Sequence, residues 1–428
     1  MKEIVFLILL VSTTLSQSFG SGEKPIVIIT QDGEVDDRSS FIRFLLYTPD
    51  IDLRGIIATN SKWQKNGHGI GWINEAYGLY GQVLGNLLLH NPKFPSVEYL
   101  QSITVLGNED PKYLTGTPPY TDSKGADLII KELFNLDDEL LHINCWGGFN
   151  TVTHALWKFR KNYPDKFKIK ASQVRLITID FQDEGGDWLV KNMPEIQIIR
   201  NDAFHMTWNY HSVDKPLPHN PYPNLMSQIW LYENVKSKHG PLGEWYPQDN
   251  ISEGDTPAFL NFVDNGLRAY HDYAWGGWGG RYASASGNYW MDAQDDNNTH
   301  KTLWRWIPDL QNDFAARMDW CTKSYQEANH PPVIDEVSTP KVVKPGQKVE
   351  LNAVGSDPDG DPVFYYWWHY SDASGGGQPI MINNESSSMA YFVVPEDRRA
   401  DIHIILEVKD NGSPSLKRYS RLIYKVQN

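Results

Sequence analysis

The feature that most constrains this chain is a set of short, almost uninterrupted apolar runs separated by stretches with helical spacing. The runs are PIVIIT (25–30), LRGIIAT (53–59), LLHINCW (140–146), QVRLITI (173–179) and EIQIIR (195–200). Amphipathic segments such as IGWINEAYGLYGQVLGNLL and GADLIIKELFNL lie between them. A strand that is apolar on both faces must be covered on both faces, so the alternation predicts an α/β fold with a mostly parallel sheet covered by helices. Ligands of such sheets bind beyond the carboxyl ends of the strands. Those ends carry Asp32, Asn60, the segment from Trp146 to Asn150, Asp180 and Asn201. One polar residue after a strand is an ordinary turn former; polar residues at the same edge of five strands indicate a site.

After His330, Pro331 and Pro332 the period changes to two. The runs QKVELNAVG, FYYWWHY, MAYFVVP, IHIILEVKD and RYSRLIYKV are separated by turn signals such as DPDGDP and DNGSPS, which predicts an all-β immunoglobulin-like sandwich. In SDPDGDP the Pro and Gly positions favour a tight turn over a cation loop. The N-terminus has Lys2, an apolar Ile4 to Val11 and a Ser/Gly-rich stretch, the pattern of a signal peptide too short to anchor in a bilayer. The expected organisation is a signal peptide at 1–20, an α/β domain at 24–328 and a sandwich at 331–428, with 204–305 as long loops and short helices over the site. A secreted or periplasmic protein follows, with no membrane as partner. The net charge of −14 argues against nucleic acid as well. Two cysteines make no disulfide framework, and Cys145, inside an apolar run, is expected as a buried free thiol.

The first apolar run breaks into TQDGEVDD, which places Asp32, Glu34, Asp36 and Asp37 within six residues. Two readings stand at this point. Carboxylates in the first turn of a helix complement its dipole and cap its free N–H groups. Alternatively, a hard divalent cation with oxygen ligands compensates the crowded charge.

The segment VIITQDGEVDDRSSFIRFLL resembles the N-terminal motif of the nucleoside hydrolases, in which a strand ends in D-x-D-P-G-x-D-D before a helix. RGIIATN, NCWGGFNTVTHAL and EGDTPAFL are similar to later motifs of that family, in the same order. The whole chain resembles a secreted bacterial group, first named as cellulose-binding proteins, with a nucleoside hydrolase-like domain and a β-sandwich tail. The resemblance implies calcium held by Asp32, Asp36, Asp37, the Asn150 carbonyl and Asp255, with Asp32 as general base and Asn60 binding substrate. It also implies hydrolysis at the anomeric carbon of a sugar, through an oxocarbenium-like state that carboxylates stabilise. The chain departs from the family pattern at Thr30, where the first Asp stands, at Gly33 and Glu34 in place of Pro-Gly, and at Gly254 in place of a His. The last change removes the family's leaving-group acid; the neighbouring Glu253 could donate a proton instead, although a Glu on a loop is more often exposed and inert.

Further candidates for binding a carbohydrate substrate are Trp63, close after Asn60; Asp180 in DFQDEGGDWLV, where the helix cap is expected at Asp187; and Trp275, Trp278 and Arg281 in AWGGWGGRYAS. Indoles on a glycine-rich loop suit stacking on a pyranose, and also suit packing on a core. His68, His205, His271 and His300 have no metal-ligand spacing, so surface or structural roles are expected. The preferred function is a secreted, calcium-dependent hydrolase of glycosidic bonds in plant or algal carbohydrate. The alternatives are an N-glycosidic nucleoside hydrolase and a non-catalytic polysaccharide-binding protein on a hydrolase scaffold. Oligomeric state is not legible.

Overall fold

The computed structural model describes residues 24–204, 208 and 221–427; the expected signal peptide and His205 lie outside them. The first strands are β1 (Ile26–Gln31), β2 (Asp52–Ala58), β3 (Thr104–Leu106), β4 (Leu141–Cys145), β5 (Val174–Ile179) and β6 (Gln197–Asn201). With β7 (Tyr282–Ser286) and β8 (Tyr289–Asp292) they form one sheet in the order β3-β2-β1-β4-β5-β6-β8-β7. Every pairing is parallel except β7 with β8. The predicted α/β fold is correct, and the five apolar runs coincide with β1, β2, β4, β5 and β6 to within two residues. The short β3 and the peripheral β7–β8 hairpin, largely exposed on β7, carry no comparable signal.

Alternation along β1 explains the two-sided burial. Val27 and Ile29 enter a core cluster shared with the helices Val35–Tyr47 and Gly71–His90, while Ile26 and Ile28 enter a second cluster with the helices Lys124–Asn135 and Asn150–Asn162. The strand order reverses at β1, since the chain moves from β1 out to β2 and β3 and returns to β4 on the other side. At such a switch point the two flanking connections diverge to opposite sides and leave a crevice at the carboxyl edge. Asp32 and the segment after β4 border that crevice.

The C-terminal part is built from two three-stranded antiparallel sheets. One has β9 (Val333–Val337), β10 (Lys348–Ser356) and β12 (Met389–Val393); the other has β11 (Phe364–His369), β13 (Ile402–Lys409) and β14 (Lys417–Tyr424). Leu351, Trp367, Phe392, Leu406 and Leu422 form its core. Asp357 accepts from the main-chain N–H groups of Asp359 and Asp361, which makes SDPDGDP a turn. The opposite face of β11 packs on the α/β domain: the Trp306 ring lies 6.1 Å from Trp368, 6.2 Å from Tyr370 and 5.6 Å from Tyr419. Buried Arg421 donates from β14 to the carbonyls of Leu267 and Trp275, each at 2.9 Å, and to Gly276 at 2.5 Å. Cys145 and Cys321 are both buried and free. No described helix is long and apolar enough to cross a membrane.

Candidate metal centre and active site

The register of β1 with β4 pairs Thr30 with Cys145, which carries Asp32 alongside Gly147. A Cβ on Gly147 would lie 2.9 Å from the Asp32 Cβ, so the glycine permits this approach. Gly33 follows with φ +78°, in the left-handed region, and a Cβ there would stand 2.8 Å from the Trp72 indole nitrogen. The turn sends the helix Val35–Tyr47 back across the strand end, with Asp36 and Asp37 in its first turn. The Asp32 main-chain N–H donates to Asp37 Oδ1 at 3.1 Å. Asp255, on the loop before the short helix Pro257–Leu260, comes in from the far end of the domain. One oxygen each of Asp36, Asp37 and Asp255 lie within 4.8 Å of one another, and Asp32, Glu34 and Asp37 form a second such group.

Helix capping does not account for this arrangement, because the residue at the N-cap, Glu34, makes no side-chain cap bond. Asp32, Asp36, Asp37 and Asp255 are all buried, and none forms an ion pair among the described residues. Asp32 Oδ2, Asp36 Oδ1 and Asp255 Oδ2 have no hydrogen-bond partner among them. Burial first, and then mutual repulsion, holds the carboxyls of Asp36, Asp37 and Asp255 well above the usual carboxylate range. Burial likewise raises Asp32, and burial with repulsion from Asp32 pushes half-buried Glu34 up to about 7. Unpaired buried carboxylate oxygens, aimed at one another, fit a hard divalent cation.

Asn150 is the first residue of the helix Asn150–Asn162, whose ladder starts at the carbonyl of Phe149 before it, and the Asn150 carbonyl has a lone pair beyond the one a helical bond uses. Its side chain donates to Asn60 Oδ1 at 2.6 Å, and Asn60 in turn donates to the Lys65 carbonyl at 2.6 Å. Both ends of the buried Asn60 amide are thus committed to the protein. Asn60, expected to bind substrate, fastens the loop after β2 to the loop after β4 through these bonds.

Asp180 is also committed, to Arg200 at 2.7 Å and Lys62 at 3.3 Å. The helix cap expected at Asp187 is instead Asp183, whose carboxylate accepts from the main-chain N–H groups of Gly185 and Asn150, each at 2.8 Å. Burial pushes Asp183 up to about 7. A Cβ on Gly148 would lie 2.6 Å from Asp183 Oδ2, so the second glycine of CWGG answers to a partner some thirty-five residues on.

Glu253, the substitute leaving-group acid, is fully buried and bridges Arg43 through both oxygens, at 2.5 and 3.1 Å. It also accepts from Thr256 at 2.8 Å and Tyr246 at 3.1 Å. Both of its oxygens are thus engaged inside the protein. Trp275, Trp278 and Arg281, expected to bind carbohydrate, all have partners within the protein. Trp278 is buried edge-on against Tyr419, Trp275 meets His403 and Arg421, and Arg281 is paired with Asp295 at 2.8 Å. Residues 276–282 of the glycine-rich loop are buried, and Trp275 beside them is partly exposed. Trp63 is 63% exposed, with the Lys62 ammonium 5.1 Å from its ring centre, and is a free aromatic face on the loop after Asn60. His68 stands beside Gly33 at the exposed rim.

A family model described as "Cellulose-binding Sde182, nucleoside hydrolase-like domain" matches residues 26–282, and one described as "Cellulose-binding protein Sde0182, C-terminal domain" matches residues 348–426. Among solved structures, a nucleoside hydrolase-related hypothetical protein from Saccharophagus degradans, associated with carbohydrate metabolism, is 33% identical with a TM-score of 0.82. That match covers 95% of this chain and all of the other. An effector protein at 9% identity and a TM-score of 0.36, covering 71% of this chain and 95% of its own, is too distant to bear on the site. No curated protein matches the sequence.

Proposed function

The chain belongs to the family of cellulose-binding proteins with a nucleoside hydrolase-like domain, and from that premise we propose that it is a secreted, calcium-dependent hydrolase of glycosidic bonds in plant or algal carbohydrate. The observation that carries the reading is the convergence of Asp32, Asp36, Asp37 and Asp255 at the switch point, buried and without a cationic partner among the described residues. Leaving such charges uncompensated is costly, and a site that only had to present hydroxyl-binding groups to a glycan would not need them. The family description and the carbohydrate association of the related structure favour a glycan over a free nucleoside.

In this reading Asp32, Asp36, Asp37 and Asp255 would hold the ion, together with the Asn150 carbonyl. Bound calcium supplies a positive centre that orients water and the sugar's hydroxyls and makes that water more acidic. Asp32 lies at the end of the strand, fixed by its contact with Gly147 and by the Asp37 bond, and its unpartnered Oδ2 takes the water's proton. The surrounding carboxylates stabilise positive charge developing on the sugar ring. Trp63 offers its exposed face to a pyranose at the rim. The loss of a His at Gly254 and the locking of Glu253 remove the acid that nucleobase departure would use, which disfavours a nucleoside substrate.

Release of sugar from nucleosides and from plant oligosaccharides, with Asp32→Asn in parallel, tests the reading. Glycan cleavage that disappears in a folded Asp32→Asn protein supports it. Nucleoside cleavage would move the substrate to the first alternative. Retention of a glycan without turnover, in the wild type as in the variant, would make the protein a binder on a hydrolase scaffold.

A further inference from the structure

The carboxylates at the switch point form two overlapping groups. Asp36, Asp37 and Asp255 make one, Asp32, Glu34 and Asp37 make the other, and Asp37 belongs to both. We propose that the chain binds two calcium ions side by side, bridged by Asp37, with Glu34 completing the outer site. The proposal rests on the metal reading above and revises it in one respect: Asp32, a ligand of the single ion there, belongs here with Glu34 and Asp37 to the outer ion, and Asp36, Asp37 and Asp255 hold the inner one.

Charge gives the first argument. Five carboxylates carry five negative charges when ionised; one divalent ion leaves three of them uncompensated, and two ions leave one. No lysine, arginine or histidine pairs with these five among the described residues. Arg43 is held by Glu253, and Arg38 donates to the Gly33 carbonyl with its guanidinium over the Trp72 ring. Unpartnered oxygens give the second argument, because each group contains at least one. Asp32 Oδ2 stands in the outer group, and Asp36 Oδ1 and Asp255 Oδ2 in the inner one. All three residues are at most 4% exposed. Buried oxygens without partners are rare and costly, and here they occur in both halves of the cluster.

Glu34 gives the third argument. It sits at the N-cap of the helix Val35–Tyr47, yet makes no side-chain cap bond; one of its oxygens lies within 4.8 Å of oxygens of Asp32 and Asp37, and the Gln64 side chain is its hydrogen-bond neighbour. Like charges do not gather in this way without a counter-charge. The nucleoside hydrolase motif that this segment resembles has a glycine at the position, so Glu34 adds a carboxylate to that pattern. Glu34 is partly exposed, which puts the second ion on the solvent side of the first, where a substrate enters. Two ions bridged by a carboxylate can act on two oxygens of one substrate at once.

Chelator-treated protein is titrated with calcium by calorimetry, and the number of ions is counted by native mass spectrometry. Two ions per chain are expected for the wild type and one for Glu34→Gln, with the metal-free melting temperature of the variant at or above that of the wild type. A wild type that holds one ion overturns the second site and leaves the metal reading intact. So does a second ion that persists in Glu34→Gln. A wild type that binds no calcium overturns both.

Discussion

Replacing Glu253 with glutamine keeps the volume of the side chain and removes the charge that faces Arg43. In the wild type, Arg43 is fully buried, bound to both Glu253 oxygens at 2.5 and 3.1 Å and to Gln311 at 2.8 Å, with its guanidinium 3.7 Å from the centre of the Phe314 ring. Charges about 4 Å apart attract by about 4 kcal/mol at an effective dielectric constant of about 20. The variant leaves a guanidinium buried and uncompensated, and such losses run to about 3–5 kcal/mol. Glutamine retains an acceptor for Thr256 or Tyr246, which keeps the expected loss of stability near the lower half of that range. Urea unfolding followed by tryptophan fluorescence reads the change without adding the ionic strength of guanidinium chloride. The double variant Arg43→Met with Glu253→Leu removes both charges together and should recover most of the loss. A Glu253→Gln protein within about 1 kcal/mol of wild type, the value of an exposed pair, would refute the reasoning. So would single and double variants whose losses simply add. Because Glu253 is two residues from Asp255, the Gln variant should also bind calcium more weakly, which calorimetry would show.

Calcium at a hundredfold excess over its dissociation constant should stabilise the folded chain by about 2.7 kcal/mol, read as a rise in melting temperature that a chelator reverses. Gly33→Ala forces a left-handed residue and a clash with Trp72, and should lose about 1–2 kcal/mol or more together with calcium affinity; an unchanged melting curve would remove the argument for that turn. Burial lowers His142 to about 3, so the folded state stays neutral while the unfolded chain takes up a proton near 6.5. Stability should therefore fall as pH drops from about 6.5 towards 3, by up to about 1.4 kcal/mol per unit, and His142→Gln should flatten that slope. Trp306→Ala leaves a cavity beneath Trp368, Tyr370 and Tyr419 and should cost about 3–5 kcal/mol, seen as an earlier and broader unfolding transition.

The parts of the site legible in the sequence are those encoded within a few residues. Apolar runs mark strands because two-sided burial leaves no room for polar positions, and Asp32, Asp36 and Asp37 lie together because one turn and one helical turn join them. Asp255 was placed by resemblance alone, since nothing local says that a loop more than two hundred residues away returns to β1. The partners of Asn60, Asp180 and Glu253, namely Asn150, Arg200 and Arg43, were not legible, because they are set by tertiary contact and not by neighbouring residues. The loop with Trp275 and Trp278 stayed open to two readings for another reason: indoles flanked by glycines look alike whether they meet a sugar or a second domain. Glu34 was legible as a departure from a pattern, and its nearness to Asp37 became clear only in three dimensions.

The junction between the two halves has a consequence for how this protein can be taken apart. Arg421 reaches from the last strand to three carbonyls of the α/β domain, and Gly266 admits the Tyr419 main chain so closely that no side chain fits between them. A module that hangs on a tether can be cut off, swapped or fused elsewhere, and will search a surface independently of its enzyme. This sandwich is instead one wall of the molecule. Deleting it would strip cover from Trp306 and Trp278 and leave a sticky, poorly soluble remnant. Any long glycan held by both halves would meet them as a single fixed template, with its reach set at the moment of folding.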